Sequence, residues 1–124
     1  MFKFIFRRIK KKRRPSAQYS KLRETARGIV HERLEHFNAH YKFEYRKVFI
    51  KNQKSRWGSC SSKGNLNFNY RIATLPAELQ DYLVVHELCH LGQMNHSQNF
   101  WDLVAETVPD YRRLDRVLKT YSTR

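Results

Sequence analysis

Two histidines one helical turn apart, His86 and His90, enclose a glutamate, Glu87, in the pattern HExxH. On an α-helix, residues four positions apart share one face and lie about 6 Å apart along the axis, so both imidazoles can bind one Zn²⁺. Glu87 points in the next direction around the helix, from which its carboxylate can reach a water molecule beside the metal. The pattern therefore predicts a helix that supplies two zinc ligands and a general base.

A catalytic zinc site needs a third protein ligand and keeps a fourth position open. His96 is the candidate for the third ligand. In a continuous helix it would lie about 9 Å beyond His90, so the chain must leave the helix and fold back. Gly92 readily adopts the left-handed conformation that ends helices, and Asn95 tolerates it. We therefore expect the helix to end at a left-handed glycine, and one Zn²⁺ to be bound per chain.

The sequence around these residues predicts a buried helix followed by two more. Residues 79–85 are apolar nearly all round, as a buried helix requires. Ser97 can cap the next helix, and packing of Phe100 and Trp101 into the core would fix the direction of His96. A last amphipathic helix is predicted from the apolar residues Tyr111, Leu114, Val117, Leu118 and Tyr121.

Residues Ser16 to His40 predict a long amphipathic helix. Apolar residues recur there at spacings of three and four and form one stripe, which consists of Leu22, Ala26, Ile29, Val30, Leu34 and Phe37. Three histidines of this region are expected to be ordinary helix residues rather than zinc ligands: His31, His36 and His40.

Strand signals fill the segment between the long helix and the HExxH helix. Short β-prone runs at residues 47–51 and 56–60 precede a turn at residues 61–64. Residues 65–70 alternate strictly, so one face of this strand should carry Leu66, Phe68 and Tyr70 toward the core. The other face is a row of asparagines, Asn65, Asn67 and Asn69. This row predicts either a solvated face or the lining of a cleft that binds an extended peptide.

The charge of the chain is concentrated at its N-terminal end. The 124 residues suit a single domain and carry a net charge of +14, and the first fourteen residues contain eight Lys/Arg and no acid. We therefore divide the chain into a basic N-terminal arm, residues 1–15, and a domain, residues 16–124. An arm of this charge favours nucleic acid or the ribosome as a partner through counterion release. The alternative is a solvated tail that aids solubility.

The composition also predicts the compartment. No apolar run approaches the roughly 20 residues of a membrane span, and the apolar run 2–6 precedes the charges, whereas a secretory signal has the reverse order. Two cysteines, Cys60 and Cys89, are too few for a disulfide scaffold. We therefore expect a cytoplasmic protein with reduced thiols and no membrane partner.

Several motifs occur together in an order that is typical of one family. They are residues 56–67 (RWGSCSSKGNLN), residues 75–76 (LP), residues 81–90 (DYLVVHELCH), and residues 95–97 (NHS) with residues 100–101 (FW). With this combination the chain resembles the YgjP-like metal-dependent hydrolases. That family is grouped with the gluzincin-type zinc metallopeptidases and is similar to the SprT-like proteases in its minimal zinc domain.

The resemblance covers roughly residues 20–118 and has implications for the site and the fold. It implies zinc on the three histidines of the motif, His86, His90 and His96, with Glu87 catalytic. It also implies a minimal zincin-like α+β domain, in which an N-terminal helix and a short antiparallel-rich sheet pack on the HExxH helix and C-terminal helices follow. The family commonly has a longer β-rich segment at the N-terminal side, where this sequence has the basic arm.

The reaction predicted from these residues is hydrolysis of a peptide or protein by a zinc-activated water, with Glu87 as the general base. Such a site usually includes a donor for the developing oxyanion. The candidates for that donor are Arg56, Asn67 and Tyr70. The candidate carboxylates for orienting the ligand imidazoles are Asp81, Asp102 and Glu106.

Other classes of function are open on the sequence alone. The YbeY-like endoribonucleases have three histidines at similar spacing, and a basic chain suits RNA, but they typically lack a glutamate after the first histidine. The same zinc chemistry could hydrolyse a nucleotide phosphoanhydride. A nucleic-acid-binding module with a structural zinc would need a fourth ligand, for which Cys60 or Cys89 would have to serve. A metzincin is disfavoured, because glycine is not three residues after His90 and no methionine follows Met94.

Overall fold

The computed structural model describes residues 16–124. The basic arm predicted at residues 1–15 lies outside the described residues. Within them, a long helix is followed by three short strands and then by further helices. The elements are α1 Ala17–Tyr41, β1 Val48–Lys51, β2 Gly58–Cys60, β3 Leu66–Asn69, a 3-10 helix Tyr70–Thr74, α2 Ala77–Cys89, α3 Gln98–Ala105 and α4 Tyr111–Leu118. The predicted α+β class is confirmed.

Helix α1 is capped by side chains at both ends. The Ser16 hydroxyl accepts a hydrogen bond from the Tyr19 N–H at 3.1 Å, which satisfies a free donor of the first turn. After the last turn, the Asn38 amide both donates to and accepts from the backbone of Phe43, at 2.8 and 2.9 Å. Between these caps, the predicted apolar stripe is buried against α2 and the 3-10 helix through Ala26, Val30, Leu34 and Phe37.

The strands form a mixed sheet in the order β1-β3-β2. Strands β2 and β3 are antiparallel, with Gly58 opposite Phe68 and Cys60 opposite Leu66. Strand β1 is parallel to β3, because the chain crosses from β1 to the far edge and then turns back into the centre. The sheet predicted to be antiparallel-rich therefore has one antiparallel and one parallel pair of strands.

The asparagines of β3 are buried, and the expectation of a solvated face is wrong. Asn67 and Asn69 are 9% and 0% exposed, so this face of β3 is covered by other parts of the chain. The Asn69 side chain donates to the carbonyl oxygens of Gln53 and Arg56, at 2.7 and 2.9 Å. Its own oxygen accepts from the Arg71 N–H at 3.0 Å. Asn69 therefore joins the loop before β2 to the turn after β3.

Helix α2 lies at the centre of the described domain and packs against α1, α3, α4 and the sheet. It is buried nearly all round, as predicted, through Leu79, Tyr82, Leu83, Val84, Val85, Leu88 and Cys89. Tyr121 was predicted on the apolar face of the last helix, but it lies beyond the end of α4 and is 40% exposed. Between residues 16 and 124, no helix combines the length and the apolar character that crossing a membrane requires.

Candidate metal and catalytic centre

Three imidazoles converge at the C-terminal end of α2. The Nε2 atom of His96 lies 3.1 Å from that of His90 and 3.2 Å from that of His86. A tetrahedral zinc ion with bonds of about 2.0–2.1 Å would hold two nitrogen ligands about 3.3 Å apart. In the described range 16–124, no cysteine or carboxylate joins this group. The spacing suits one ion on three protein ligands, with a further coordination position left open.

The chain leaves α2 through a tight turn rather than through a left-handed glycine. The N–H groups of Leu91 and Gly92 donate to the carbonyl oxygens of Leu88 and Cys89, both at 3.1 Å, so the helix narrows as it ends. Gly92 does not have a positive φ, and the prediction of a left-handed conformation there is wrong.

Glycine is required at position 92 by packing. A Cβ atom at Gly92 would lie 2.7 Å from the Phe43 ring and 3.2 Å from a Leu103 methyl group. The two hydrogen bonds from the Asn38 side chain, at the end of α1, hold Phe43 in this position. The loop that carries His96 is thus positioned by the close approach of α1 and α3.

Aromatic rings of α3 fix the planes of two histidines. The His90 ring stacks on Phe100, with centroids 4.4 Å apart and an interplanar angle of 18°. The His96 ring stacks on Trp101 at 5.8 Å and 22°. Ser97 occupies the N-cap of α3, as predicted, but its side chain makes no capping hydrogen bond. Packing therefore orients His96, which is otherwise exposed.

Hydrogen bonds behind the ligands determine which nitrogen of two histidines carries the proton. His90 Nδ1 lies 3.0 Å from the Gln93 carbonyl oxygen, which can only accept, so Nδ1 is the protonated nitrogen. The Tyr82 hydroxyl donates to Asp115 Oδ1 at 2.9 Å. Its oxygen is therefore free to accept from His86 Nδ1, 3.2 Å away. Both histidines then present an unprotonated Nε2 to the centre, which metal binding requires.

The electrostatics of the site keep two of the imidazoles neutral. Burial, followed by the neighbouring His90 and His96, lowers the pKa of His86 to about 3. Burial also lowers the pKa of His90. At neutral pH both of these rings are therefore neutral, which is the form in which an imidazole binds zinc.

The structure places the orienting groups on residues other than those predicted. Asp81 pairs with Arg33 at 2.6 Å, and Asp102 accepts a hydrogen bond from Gln98. Glu106 lies 3.0 Å from the His40 ring. Because none of these carboxylates bonds to a histidine of the centre, the prediction for Asp81, Asp102 and Glu106 is wrong.

The orienting groups that sequence reasoning missed are Tyr82 and Asp115, with the backbone of Gln93. Tyr82 precedes His86 by four residues, so it shares one face of α2 with the ligands, and that spacing was the available signal. Asp115 could not be found in the same way, because it lies on α4. Burial pushes the pKa of Asp115 upward, but hydrogen bonds from Lys119 and Tyr82 outweigh it and leave this pKa below its ordinary value. Its carboxylate is thus a charged acceptor for the tyrosine.

We predict that Tyr82→Phe lowers zinc affinity by about 10–100-fold, the usual cost of losing a group that hydrogen-bonds to a ligand histidine. The variant removes the acceptor of the His86 Nδ1 proton and keeps the ring that fills the core. Competition with a chromogenic chelator measures the affinity, and circular dichroism checks the fold. Tyr41→Phe is the matched control, because it removes a hydroxyl bonded to Leu103 and Thr107. Equal affinities for wild type and Tyr82→Phe would contradict the orienting role.

Glu87 follows His86 on α2 and packs closely against a glycine of the sheet. The residue is 4% exposed, and burial raises the pKa of its carboxyl group to about 8. A Cβ atom on Gly58 of β2 would lie 3.0 Å from both Cγ and Oε2 of Glu87. The sheet can therefore approach the carboxylate closely. Sequence analysis did not identify this role for Gly58.

A cavity of about 210 Å³ opens beside Glu87 and His86. We call it the Glu87 cavity. Its walls combine apolar and polar side chains, which are Trp57, Leu83 and Leu118, and Arg56, Tyr82 and Asp115. His86 and the Glu87 carboxyl group therefore face a space that can admit part of a substrate.

The three candidates for oxyanion stabilisation are separated in space. Arg56 lines the Glu87 cavity. Tyr70 is in the 3-10 helix, where its ring packs edge-on against Tyr19 of α1 with centroids 4.7 Å apart. Asn67 neighbours Phe68 in β3, and adjacent residues of a strand face opposite ways. Since Glu87 packs on the face that carries Phe68 and its partner Gly58, the Asn67 side chain points away from Glu87.

Neither cysteine joins the histidines, within the part of the chain that the structure describes. Burial raises the pKa of Cys89 to about 12, and Cys89 is fully buried beside Tyr41. Burial, with the Glu87 carboxylate adding to it, raises the pKa of Cys60 to about 11. Because neither sulfur lies with the three imidazole nitrogens, no cysteine of residues 16–124 is placed to serve as a fourth ligand.

Comparisons with known proteins agree with this geometry. Residues 7–121 match the family model described as YgjP-like, metallopeptidase domain. The crystal structure of the metallopeptidase zymogen abylysin of Pyrococcus abyssi is similar at a TM-score of 0.65 and 26% identity, over 73% of this chain and 93% of that one. The metallopeptidase zymogen jannalysin of Methanocaldococcus jannaschii is similar at 0.57 and 26% identity, over 77% and 97%. No curated protein matches this chain.

Proposed function

The chain belongs to the YgjP-like metallopeptidase family, and we propose that it is a zinc-dependent peptidase with His86, His90 and His96 as ligands and Glu87 as general base. The observation that carries this proposal is the convergence of three Nε2 atoms, 3.1 and 3.2 Å apart, next to a buried carboxylate and an open cavity. The likeness to two metallopeptidase zymogens supports it.

The chemistry divides between the ion and the side chains. A bound zinc ion would polarise the scissile carbonyl and acidify the attacking water. Glu87 accepts the proton of that water and then delivers it to the leaving amine nitrogen. Burial raises the pKa of Glu87 to about 8, whereas the positive charge of a bound zinc ion would favour the ionised form. A carboxylate with these opposing influences can both take and return a proton near neutral pH.

A peptide fits the surroundings of the centre. In the described sheet, β2 is an edge strand, and its Gly58 lies against Glu87. An extended peptide can add to such an edge through main-chain hydrogen bonds. The apolar wall formed by Trp57, Leu83 and Leu118 can receive one substrate side chain. These features support a peptide substrate over RNA or a nucleotide.

A structural role for the zinc is less well supported. Closed structural sites normally have four protein ligands, and residues 16–124 bring three ligand side chains together. A nucleic-acid or ribosome partner of the basic arm stays a prediction, since residues 1–15 lie outside the described part.

Removal of the metal tests the proposed function. We expect the zinc-loaded protein to cleave an unfolded protein substrate, and dialysis against a chelator to abolish the cleavage. One equivalent of Zn²⁺ per chain should restore it. Gel electrophoresis measures the cleavage, and the same preparations are assayed on RNA and on nucleoside triphosphates. Full activity of the metal-free protein, or turnover of RNA or nucleotide in place of protein, would contradict the proposal.

A further inference from the structure

A second cavity, of about 300 Å³, lies between α3 and α4. We call it the arginine cavity. It is lined by Gln98, Trp101, Tyr111, Arg112, Asp115 and Arg116. Because Asp115 also lines the Glu87 cavity, the two cavities meet at this residue, and His86 and Glu87 line the first. A substrate that occupies the catalytic centre therefore has the arginine cavity within reach.

A stack of aromatic rings leads from the metal centre into the arginine cavity. Trp101 stacks on the ligand His96, with centroids 5.8 Å apart. Tyr111 also stacks on Trp101, with centroids 5.0 Å apart and an interplanar angle of 13°. An extended peptide advances about 3.3–3.6 Å per residue. The far end of the stack is therefore about three residues from the scissile bond.

The charge of the arginine cavity is positive and uncompensated. Arg112 lies over the Tyr111 ring, its guanidinium carbon 5.7 Å from the centroid. Arg116 is one helical turn further along α4. Neither arginine has a carboxylate partner among residues 16–124. The one acid of the wall, Asp115, is already engaged by Lys119 at 2.9 Å and by Tyr82 at 2.9 Å.

A neighbouring arginine of α4 does have acidic partners. Arg113, between Arg112 and Arg116 in sequence, pairs with Asp110 at 2.6 Å and with Glu78 at 3.1 Å, and it lines a different cavity. The two arginines that line the arginine cavity have no acidic partner among residues 16–124. Both are therefore available to pair with an acid of another molecule.

We infer, on the basis of the proposed peptidase function, that the arginine cavity is a subsite for an acidic side chain about three residues from the scissile bond. Aspartate or glutamate at that position pairs with Arg112 and Arg116, while the neighbouring backbone lies on Trp101 and Tyr111. The preferred substrates are therefore acidic peptides. The two arginines determine specificity and take no part in the proton transfers at Glu87.

The test compares peptides that differ by one charge. A fluorogenic peptide cleaved by the zinc-loaded protein is prepared with Asp, and separately with Asn, at each position from two to four residues on either side of the bond. At one position we expect kcat/KM to be about five- to tenfold higher for Asp, which corresponds to two exposed charge pairs. The preference should shrink at 0.5 M salt, because exposed charges are screened. In the double variant Arg112→Gln/Arg116→Gln it should disappear.

Controls separate this inference from the proposed function. Arg113→Gln removes one charge from the same helix outside the arginine cavity, and it should keep the preference for Asp. Binding of labelled Asp and Asn peptides to zinc-loaded Glu87→Gln protein is measured by fluorescence anisotropy. Preferential binding of the Asp peptide without turnover by the wild type would contradict the peptidase proposal and support the subsite. Turnover with equal kcat/KM for Asp and Asn at every position would overturn the subsite, as would an equal loss of preference in Arg113→Gln.

Discussion

Replacing Glu87 by glutamine is expected to lower peptide turnover by about 100- to 10,000-fold, the contribution typical of a general acid–base group. The amide has nearly the shape of the carboxyl group, so it fits in the same place against Gly58. A larger side chain would not fit there. It cannot accept a proton from water. Zinc binding should persist, because the carboxylate does not belong to the three-histidine group.

The measurement is single-turnover cleavage of a peptide, with zinc content determined on the same samples. A glutamine at this 4% exposed position is neutral without having to take up a proton, so the metal-free variant should unfold at a temperature no lower than that of wild type. Glu106→Gln is the matched control, because Glu106 pairs with His40 away from the centre. Retained turnover in Glu87→Gln protein, with zinc bound, would rule out the general-base role.

Replacing His96 by alanine is expected to lower zinc affinity more than the loss of a hydrogen-bonding partner of a ligand histidine does. The latter loss costs roughly 10–100-fold in affinity. The reason is direct: His96 Nε2 is the atom closest to both other ligand nitrogens, at 3.1 and 3.2 Å. Without it, two ligands on one helix hold the ion. Peptide turnover should fall with zinc occupancy.

Chelator competition measures the affinity of the His96→Ala variant. His96 is exposed, and exposed substitutions usually change the free energy of unfolding by less than about 0.5 kcal/mol. The metal-free variant should therefore be as stable as wild type, which separates metal loss from misfolding. His31→Ala, an exposed histidine of α1, serves as the control. Wild-type zinc stoichiometry at low zinc concentration in His96→Ala protein would place the third ligand elsewhere.

Local patterns in the sequence were sufficient to predict most of the helices and the grouping of the site. The stripe of α1, the apolar residues 79–85 and the HExxH spacing each follow from helix periodicity, which acts within a few residues. The need for the chain to fold back after His90 followed from the reach of a zinc ion. The family resemblance and the α+β class are confirmed.

Features that depend on contacts between distant segments could not be predicted in this way. The row of asparagines predicts either a solvated face or a cleft lining, because alternation does not reveal what packs on the second face of a strand. Gly92 was assigned a left-handed conformation, but the side chain that excludes a Cβ atom there, Phe43, is about fifty residues earlier in the chain. The group behind His86 could not be predicted, because it consists of two residues on different helices. The Tyr82 hydroxyl of α2 accepts from His86, and Asp115 of α4 accepts from Tyr82.

The position of Asp115 on α4 has a consequence for the order in which the site is completed. Asp115 comes nineteen residues after His96, and it can accept the Tyr82 hydroxyl proton only when α4 is packed on α2. Until α4 docks, the hydrogen-bonded pair behind the His86 Nδ1 proton is incomplete. A domain in which α4 has not docked should therefore bind zinc more weakly than the complete fold.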